Sequence, residues 1–333
     1  MKKVTLCLML IIALIILPGV ILAAENVANV AKVGNTEYAT LEEAIDVAKE
    51  SGDEIVLLSD AELSGTVSVT SGKVTINLNG YKITSEQRLF DVKGAEFTVK
   101  GNGSLEETSP NYAPICVKGS NNLNDKKYTV INVGTGVTLK GWAGIMVSPY
   151  DSKTQPYAYG VVINCDGTID SVKDTSGYSG SGIYINGQIK HTENCPIINL
   201  SSTTKITSLG NTIYAAGFGE WNINGSTMTG VDAGLAIKSG KFVIDDAKVT
   251  ATGEDETPSA GYGNGINSSG AAIQIESNKG YASNITLHIK NGTYKSEKGI
   301  AFYEYLADGI LDLNMQKFAL EDGTQLVRKT CTC

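Results

Sequence analysis

The stretch Val74–Ile83, VTINLNGYKI, joins a short alternating strand, which ends at Leu78, to a second apolar position five residues later. The same arrangement returns in Trp221–Met228, WNINGSTM, and in Phe242–Val249, FVIDDAKV. Alternate residues of a β-strand point to opposite faces, so the apolar positions of each stretch share one side. The recurrence indicates a repeating structural unit.

The unit has three parts along most of the chain: an alternating strand with an apolar anchor, a second apolar position, and an apolar-x-apolar triplet. The predicted anchors are Leu78, Val99, Val133, Cys165, Leu200, Ile223, Ile244, Ile289 and Leu313. The predicted second positions are Ile83, Leu105, Leu139, Ile169, Ile206, Met228, Val249, Tyr294 and Phe318. The predicted triplets begin at Phe90, Ile115, Ile145, Ile183, Ile213, Leu235, Ile273 and Ile300.

This order predicts an all-β solenoid in which each unit is one rung of three short strands. Single rungs cannot bury their apolar residues alone, so neighbours must stack and share a core. Anchor separations of 21 to 45 residues fit about nine rungs, some with inserted turns. A β-sandwich or jelly roll is the alternative, but it would show hairpin turns without a sustained three-part order.

An amphipathic helix precedes the repeat. Thr40 and Glu43 form a capping-box pattern, and apolar residues follow at helical spacing until Ser51 and Gly52. The run 54–58 then predicts a buried strand. Because an open solenoid end exposes unpaired edges, we expect the helix to cap the first rung. The predicted organisation is a signal peptide at 1–24, the capping helix and first strand at 25–60, and the β-helix at 61–333.

The first residues are typical of an export signal. Lys2 and Lys3 precede an apolar run that ends in Ala23 and Ala24. A transmembrane anchor is the alternative, since the run approaches spanning length. Removal of the two lysines takes the net charge from −8 to −10, which predicts an acidic protein that is secreted or on the outer surface of a bacterium.

Charge and composition exclude several classes of function. An acidic chain with 27 Lys and Arg residues offers no basic face for nucleic acid. With two histidines, His191 and His288, sites built on several imidazoles are also excluded. The signal segment, if uncleaved, is the expected membrane contact.

The cysteines do not form a regular disulfide framework. Five remain after the signal, and Cys331 and Cys333 are too close for an ordinary bridge. Cys165 occupies an anchor and is predicted to be buried, Cys195 falls in a loop, and Cys116 is predicted to face outward.

The segment 38–84, which contains YATLEEAI, EIVLL and VTINLNGYKI, resembles the opening of right-handed parallel β-helix proteins of the pectin-lyase-like superfamily. More narrowly it is similar to exported β-helix proteins of gut Firmicutes. The resemblance implies a right-handed parallel β-helix. The enzymes of this superfamily act on acidic polysaccharides, so the resemblance also implies such an activity. Its lyases use an Arg or Lys base beside aspartate-bound calcium, and its hydrolases use clustered aspartates with a Gly-His-Gly motif.

These catalytic sets do not carry over to this sequence. It contains no Gly-His-Gly, and its two arginines, Arg88 and Arg328, lie near opposite ends of the predicted rod. The sequence therefore predicts no catalytic residue. The net negative charge also argues against binding of an acidic polymer without calcium.

Carboxylates in predicted loops are candidates for a cation site. Such oxygens could hold Ca²⁺, although no cofactor is required by the sequence, which favours a solvated acidic surface as the explanation of these residues. The candidate metal ligands are Asp166, Asp170, Asp245 and Asp246, with Asp174 following at the same spacing as the first two.

Aromatic residues in and beside the predicted insertions are candidates for carbohydrate binding. Tyrosines on excursions along a rod can stack on sugar rings while polar neighbours bond to hydroxyl groups, or they can simply pack the loops onto the rod. The candidates are Trp142, Tyr150, Tyr157, Tyr159, Tyr178 and Tyr262. Trp221, in phase with the anchor Ile223, is instead predicted to be core.

The sequence thus favours a secreted or surface β-helix protein that binds a polysaccharide or a cell-surface glycan, in a non-catalytic display or adhesion role. Two alternatives stay open. One is a polysaccharide lyase or glycoside hydrolase that acts on acidic glycans, and the other is a structural spacer in a surface assembly.

Overall fold

A computed structural model describes residues 29–173, 175, 177, 180–254, 269–277, 285–306, 317–320 and 325–327. The predicted signal peptide lies outside these residues, as do Asp174, Tyr178, Tyr262, Cys331 and Cys333. The described chain contains one helix, α1 (Leu41–Ser51), and three sheets that we name A, B and C. None of its helices is long and apolar enough to cross a membrane.

Sheet A has 12 strands. They are β1 (Ala31–Val33), β2 (Thr36–Tyr38), β3 (Glu54–Leu57), β6 (Lys73–Asn77), β9 (Glu96–Lys100), β12 (Thr129–Val133), β15 (Val161–Cys165), β18 (Ile197–Leu200), β21 (Glu220–Asn224), β24 (Gly240–Asp245), β27 (Ile285–Lys290) and β30 (Lys317–Leu320).

Sheet B has 10 strands. They are β4 (Ala61–Glu62), β7 (Lys82–Ser85), β10 (Gly103–Glu107), β13 (Val137–Gly141), β16 (Thr168–Ser171), β19 (Lys205–Ser208), β22 (Thr227–Gly230), β25 (Lys248–Ala251), β28 (Thr293–Ser296) and β31 (Gln325–Val327).

Sheet C has 9 strands. They are β5 (Val67–Val69), β8 (Phe90–Lys93), β11 (Ile115–Lys118), β14 (Ala143–Ser148), β17 (Ser181–Ile185), β20 (Asn211–Ala215), β23 (Ala233–Ile237), β26 (Ile273–Ser277) and β29 (Phe302–Leu306).

The chain visits the sheets in the order A, B, C and then starts again one rung further along. From β3 onward every strand pairs in parallel with the strand three positions later in the chain. The described residues complete nine such rungs, the last at β29, and add β30 and β31 of the next. The predicted solenoid of about nine three-strand rungs, a parallel β-helix, is confirmed.

Register shows why the three-part pattern exists. The first eight predicted second positions, from Ile83 to Tyr294, form one column of paired residues through sheet B. In sheet A the anchors from Val99 to Ile289 form a similar column. Both columns are buried. The repeat in the sequence therefore marks residues that occupy the same interior position in successive rungs.

The predicted register is wrong at the two ends of the solenoid. Val99 pairs with Ile76, not with Leu78, which lies just beyond β6 and is buried as well. Ile76 and Leu78 both point inward and lie two positions apart, so either of them fits the pattern of an anchor. Near the other end, Ile289 pairs with Leu320, so Leu313, which lies outside the described residues, is not the anchor.

Two further predicted positions change with the register at the end of the solenoid. Phe318, predicted as a second position, belongs to β30 of sheet A and pairs with Leu287. Phe302, not Ile300, pairs with Ile273 at the start of β29. Two apolar candidates compete for each position: Ile300 and Phe302 lie two residues apart, and Leu313 and Leu320 lie seven apart. Alternation alone could not decide which of the two takes part in the register.

The interior is one apolar cluster that runs through all three sheets. Trp221 is fully buried there, as predicted, and its ring stacks on Phe242 of the next rung at 5.4 Å between ring centroids. Cys165 is buried in the same cluster, as its anchor position predicted.

The helix α1 closes the first rung. Glu43 N–H donates to Thr40 Oγ1 and Thr40 N–H donates to Glu43 Oε2, both at 3.3 Å, which is the predicted capping box. Gly52 ends the helix in the left-handed conformation at φ 75°. Leu41 and Ile45 on its inner face are buried in the solenoid core, so the predicted cap is confirmed.

Candidate functional site

Three inserted turns lie at the same corner of consecutive rungs. Residues 119–128, 149–160 and 186–196 each connect a strand of sheet C to the next strand of sheet A. The same corner between β8 and β9 holds only residues 94 and 95. Since successive rungs stack in register, the three insertions lie one above another, and we call them the insertion stack.

Main-chain hydrogen bonds tie the insertions together. Ser120 and Tyr159 bond to each other in both directions, N to O, at 2.8 and 3.0 Å. Gly160 N–H donates to Asn194 O at 3.1 Å, and Asn194 Nδ2 donates to Leu123 O at 2.8 Å and to Asp125 O at 3.2 Å. The stack is therefore built as one unit.

The middle insertion is a small hairpin. Tyr150 N–H donates to Tyr157 O at 2.7 Å, and Asp151 and Gln155 bridge below it. Asp151 closes the turn by accepting from Lys153 N–H at 2.8 Å and Thr154 Oγ1 at 2.9 Å. The Lys153 N–H bond is the largest cause of the lowered pKa of the Asp151 carboxyl group.

Aromatic rings gather on this hairpin. Tyr157 and Tyr159 stack with their centroids 5.1 Å apart and their planes 12° apart. The ring of His191, from the next insertion, lies 4.2 Å from that of Tyr159 and 6.0 Å from that of Tyr157. Tyr157 is 39% exposed, whereas Tyr159 and His191 are half-buried. We call these three rings the tyrosine cluster.

Basic side chains lie beside it on the outer face of sheet C. Lys93 Nζ lies 3.4 Å from the centroid of the Tyr150 ring, a cation–π contact. Lys118 is the register partner of Lys93, and both Lys118 and Arg88 lie 3.8 Å from Asp91. Two cations thus flank one carboxylate, with Lys93 beside Lys118 in the register, and we call Arg88, Lys93 and Lys118 the basic face.

The structure brings together only part of the predicted carbohydrate site. Tyr150, Tyr157 and Tyr159 belong to one hairpin. Trp142 precedes β14, at the opposite end of that strand from Tyr150, and its ring lies 6.0 Å from that of Tyr184. Tyr184 in turn stacks on the buried Tyr214 at 5.2 Å.

The candidate metal ligands lie in separate places. Asp166 is exposed after β15, and Asp170 is half-buried on β16, where burial raises the pKa of its carboxyl group against the effect of Lys140. Asp245 accepts from Asn291 Nδ2 at 3.2 Å, and Asp246 follows in a turn at φ 52°. Among the residues with described positions, no three Asp, Glu, His or Cys side chains group as metal ligands do.

Charged groups also line a cleft of about 370 Å³ beside sheet B, at the corner towards sheet C. Glu106 and Lys140, which line it, are register partners, and Asp170 is next in the same column. Glu107 is buried and accepts from Ser109 and Tyr112 N–H, so this carboxylate organises the turn. Lys173 also lines the cleft.

The described cysteines are free thiols. Cys116 points to the outer face of sheet C, as predicted, where its Sγ lies 3.6 Å from Ser148 Oγ, but the residue is covered there and only 1% exposed. Alternation predicts the direction of a side chain but not what covers it. Burial is the largest cause of the raised pKa of the Cys116 thiol, and it raises the pKa values of Cys165 and Cys195 to about 12.

Sequence reasoning missed His191 and Lys93. The neighbours of His191 in the sequence are mostly polar, and only the stacking of 186–196 on 149–160 brings it to the tyrosines. A histidine inside an insertion that follows an aromatic insertion is the signal that could have pointed to it. The other histidine, His288, is half-buried on β27.

Comparisons with protein-family models, with curated proteins and with solved structures gave no match.

Proposed function

We propose that this chain is an exported β-helix protein that binds carbohydrate at the insertion stack, without catalysis. The observation that carries the proposal is the meeting of three consecutive insertions, interlocked by main-chain hydrogen bonds, around a partly exposed pair of stacked tyrosines. Insertions on one face of a solenoid often form its binding face. A rigid aromatic surface loses little entropy when a sugar ring packs on it.

The surroundings of the tyrosines suit a sugar. Asn121 Nδ2 donates to Gln155 Oε1 at 2.6 Å beside the hairpin, so amide groups are available to bond hydroxyl groups. The basic face lies next to Tyr150, which favours a glycan that also carries negative groups. Local charge, rather than the net charge of −8, governs the attraction at this distance.

The localisation and the family are part of the same proposal. Lys2, Lys3 and the apolar run after them support export, and the residues 38–84 support membership of the pectin-lyase-like superfamily. A glycan on the surface of the bacterium or of a neighbouring cell is the partner we propose.

The test is a glycan array followed by affinity measurements with Tyr157→Ala. We expect the variant to weaken binding of any glycan that scores by about 10-fold, since a stacked aromatic contributes about 1 kcal/mol beyond its buried area. Leu209→Ala is the matched control, because Leu209 is 41% exposed but lies in the turn between β19 and β20, at the corner between sheets B and C. Equal losses in the two variants would contradict the proposal.

A second candidate function is supported by the cleft beside sheet B, where Glu106, Lys140 and Lys173 could serve acid–base chemistry on an acidic glycan. Incubation with polygalacturonate and Ca²⁺, monitored by the absorbance of unsaturated products, tests it. Turnover that is lost in Lys140→Ala would favour a lyase over the binding role. No turnover and no glycan on the array would leave the structural spacer.

A further inference from the structure

We infer that His191 is a pH-sensitive latch that holds the tyrosine cluster together near neutral pH and releases it when the imidazole ring becomes doubly protonated. That this release controls glycan binding rests on the function proposed above. The latch itself rests only on the hydrogen bonds of the ring.

The two ring nitrogens of His191 have fixed and opposite roles. Nε2 lies 3.0 Å from the main-chain nitrogen of Ala158, whose N–H can only donate. Nδ1 lies 3.1 Å from Glu193 O, which can only accept. The ring therefore carries its proton on Nδ1 and none on Nε2, so it is neutral in this arrangement.

A second proton would break this arrangement. It would place an N–H group at Nε2 directly against the N–H group of Ala158, and the ring would have to turn away. Ala158 is fully buried between Tyr157 and Tyr159 in the chain, so losing its acceptor would leave an unpaired buried N–H group. The contact of the ring with Tyr159, at 4.2 Å between centroids, would be lost in the same movement.

The surroundings oppose protonation rather than favour it. Tyr157 and Tyr159 face the ring from the middle insertion, while the main chain of Glu193 faces it from its own insertion. The Glu193 carboxylate is the charged group on that insertion that acts on the site, since it adds to the effect of burial in raising the pKa of Tyr159. In the first insertion, Asp125 is bonded to Ser120 and Asn122. Burial is the largest cause of the lowered pKa of His191, and the Glu193 bond opposes it.

The sign of the pH dependence follows from this direction. A folded state that lowers the pKa of a histidine favours its neutral ring, so the folded state is most stable while that ring is neutral. The stabilisation is complete above the ordinary histidine pKa and is lost as the pH falls through the lowered value. The insertion stack should therefore be intact at neutral pH and loosen in acid.

The experiment follows the amide hydrogen exchange of Ala158 and the ring carbon shifts of His191 in the full chain, from about pH 7.5 to about pH 4.5. We expect the protection factor of Ala158 to fall by about tenfold as His191 titrates, the factor that corresponds to loss of one hydrogen bond. Unchanged protection while the ring titrates, or a ring that does not titrate in this range, would overturn the latch.

Two variants assign the effect. In His191→Gln an amide oxygen can accept from Ala158 N–H but does not titrate, so protection should become independent of pH. His288→Gln removes the other histidine of the chain and should keep the wild-type response. Because these readouts need no glycan, failure to bind glycan at any pH would contradict the proposed function alone, and pH-independent protection in the wild type would contradict the latch alone.

Discussion

Gly119 lies where the first two insertions come close together. A Cβ atom at this position would lie 2.3 Å from the carbonyl carbon of Ala158, closer than real side chains approach main-chain atoms. Its neighbour Ser120 makes both main-chain bonds to Tyr159. The absence of a side chain at 119 therefore permits the contact on which the tyrosine cluster depends.

We expect Gly119→Ala to separate the first two insertions and to destabilise them by about 1–3 kcal/mol, the usual cost of overpacking. Hydrogen exchange at Ser120 and Tyr159 would measure this locally. Gly65→Ala is the matched control, because a Cβ there would meet nothing within 4 Å. Faster exchange in both variants would show that the contact with Ala158 is not the cause.

Single residues also show where sequence reasoning stops. Periodicity of two correctly predicted that Trp221 and Cys165 lie inside. It could not predict that the outward Cys116 is covered, or that His191 reaches Tyr159, since both depend on neighbours from other rungs. The candidate site was thus predictable as a set of tyrosines but not as an arrangement.

At the scale of elements, an asparagine ladder follows the outer face of sheet A. Nδ2 of Asn164, Asn199 and Asn222 each donates to Oδ1 of the asparagine on the preceding rung, at 2.8 to 2.9 Å. Asn132 continues the ladder by donating to Thr98 Oγ1 at 3.0 Å. Stacked identical amides satisfy one another because the rungs are in register, as in other cross-strand ladders.

Asn164→Ala should lower the free energy of unfolding by about 1–2 kcal/mol, because it removes two of these bonds. Asn222→Ala, at the exposed end of the ladder, removes one bond and should cost about half as much. The midpoints of urea unfolding compare the two variants. A cost at Asn222 equal to that at Asn164 would count against a ladder that acts as a series of separate bonds.

The strand register was predictable wherever one apolar residue per strand stood out, as in the sheet B column from Ile83 to Tyr294. It was not predictable where two alternating residues were equivalent, as with Ile76 and Leu78. The register of a parallel pair depends on residues of the neighbouring rung, and the pattern within a single strand carries no information about them.

For the whole molecule, the main risk of association with other chains comes from the unpaired strands at an end of a solenoid. Sheets that end in unpaired strands can pair with other chains, and the first rung avoids this with the β1–β2 hairpin on sheet A and α1 over the core. Thr40, Glu43 and Gly52 define the limits of that helix. The cap therefore links local sequence signals to the solution behaviour of the entire rod.

Ile45→Asp should convert the protein from a single species to soluble oligomers or aggregate. Ile45 is fully buried under α1, and an unpaired carboxylate there costs several kcal/mol, which is enough to detach a short helix. Val47→Asp places the same charge on the same helix at a position that is 39% exposed, and should leave the protein unchanged. Light scattering after size-exclusion chromatography distinguishes the two. If Ile45→Asp stays a single species of unchanged size, the helix is dispensable as a barrier to association, and the edge of the first rung must be protected by the β1–β2 hairpin alone.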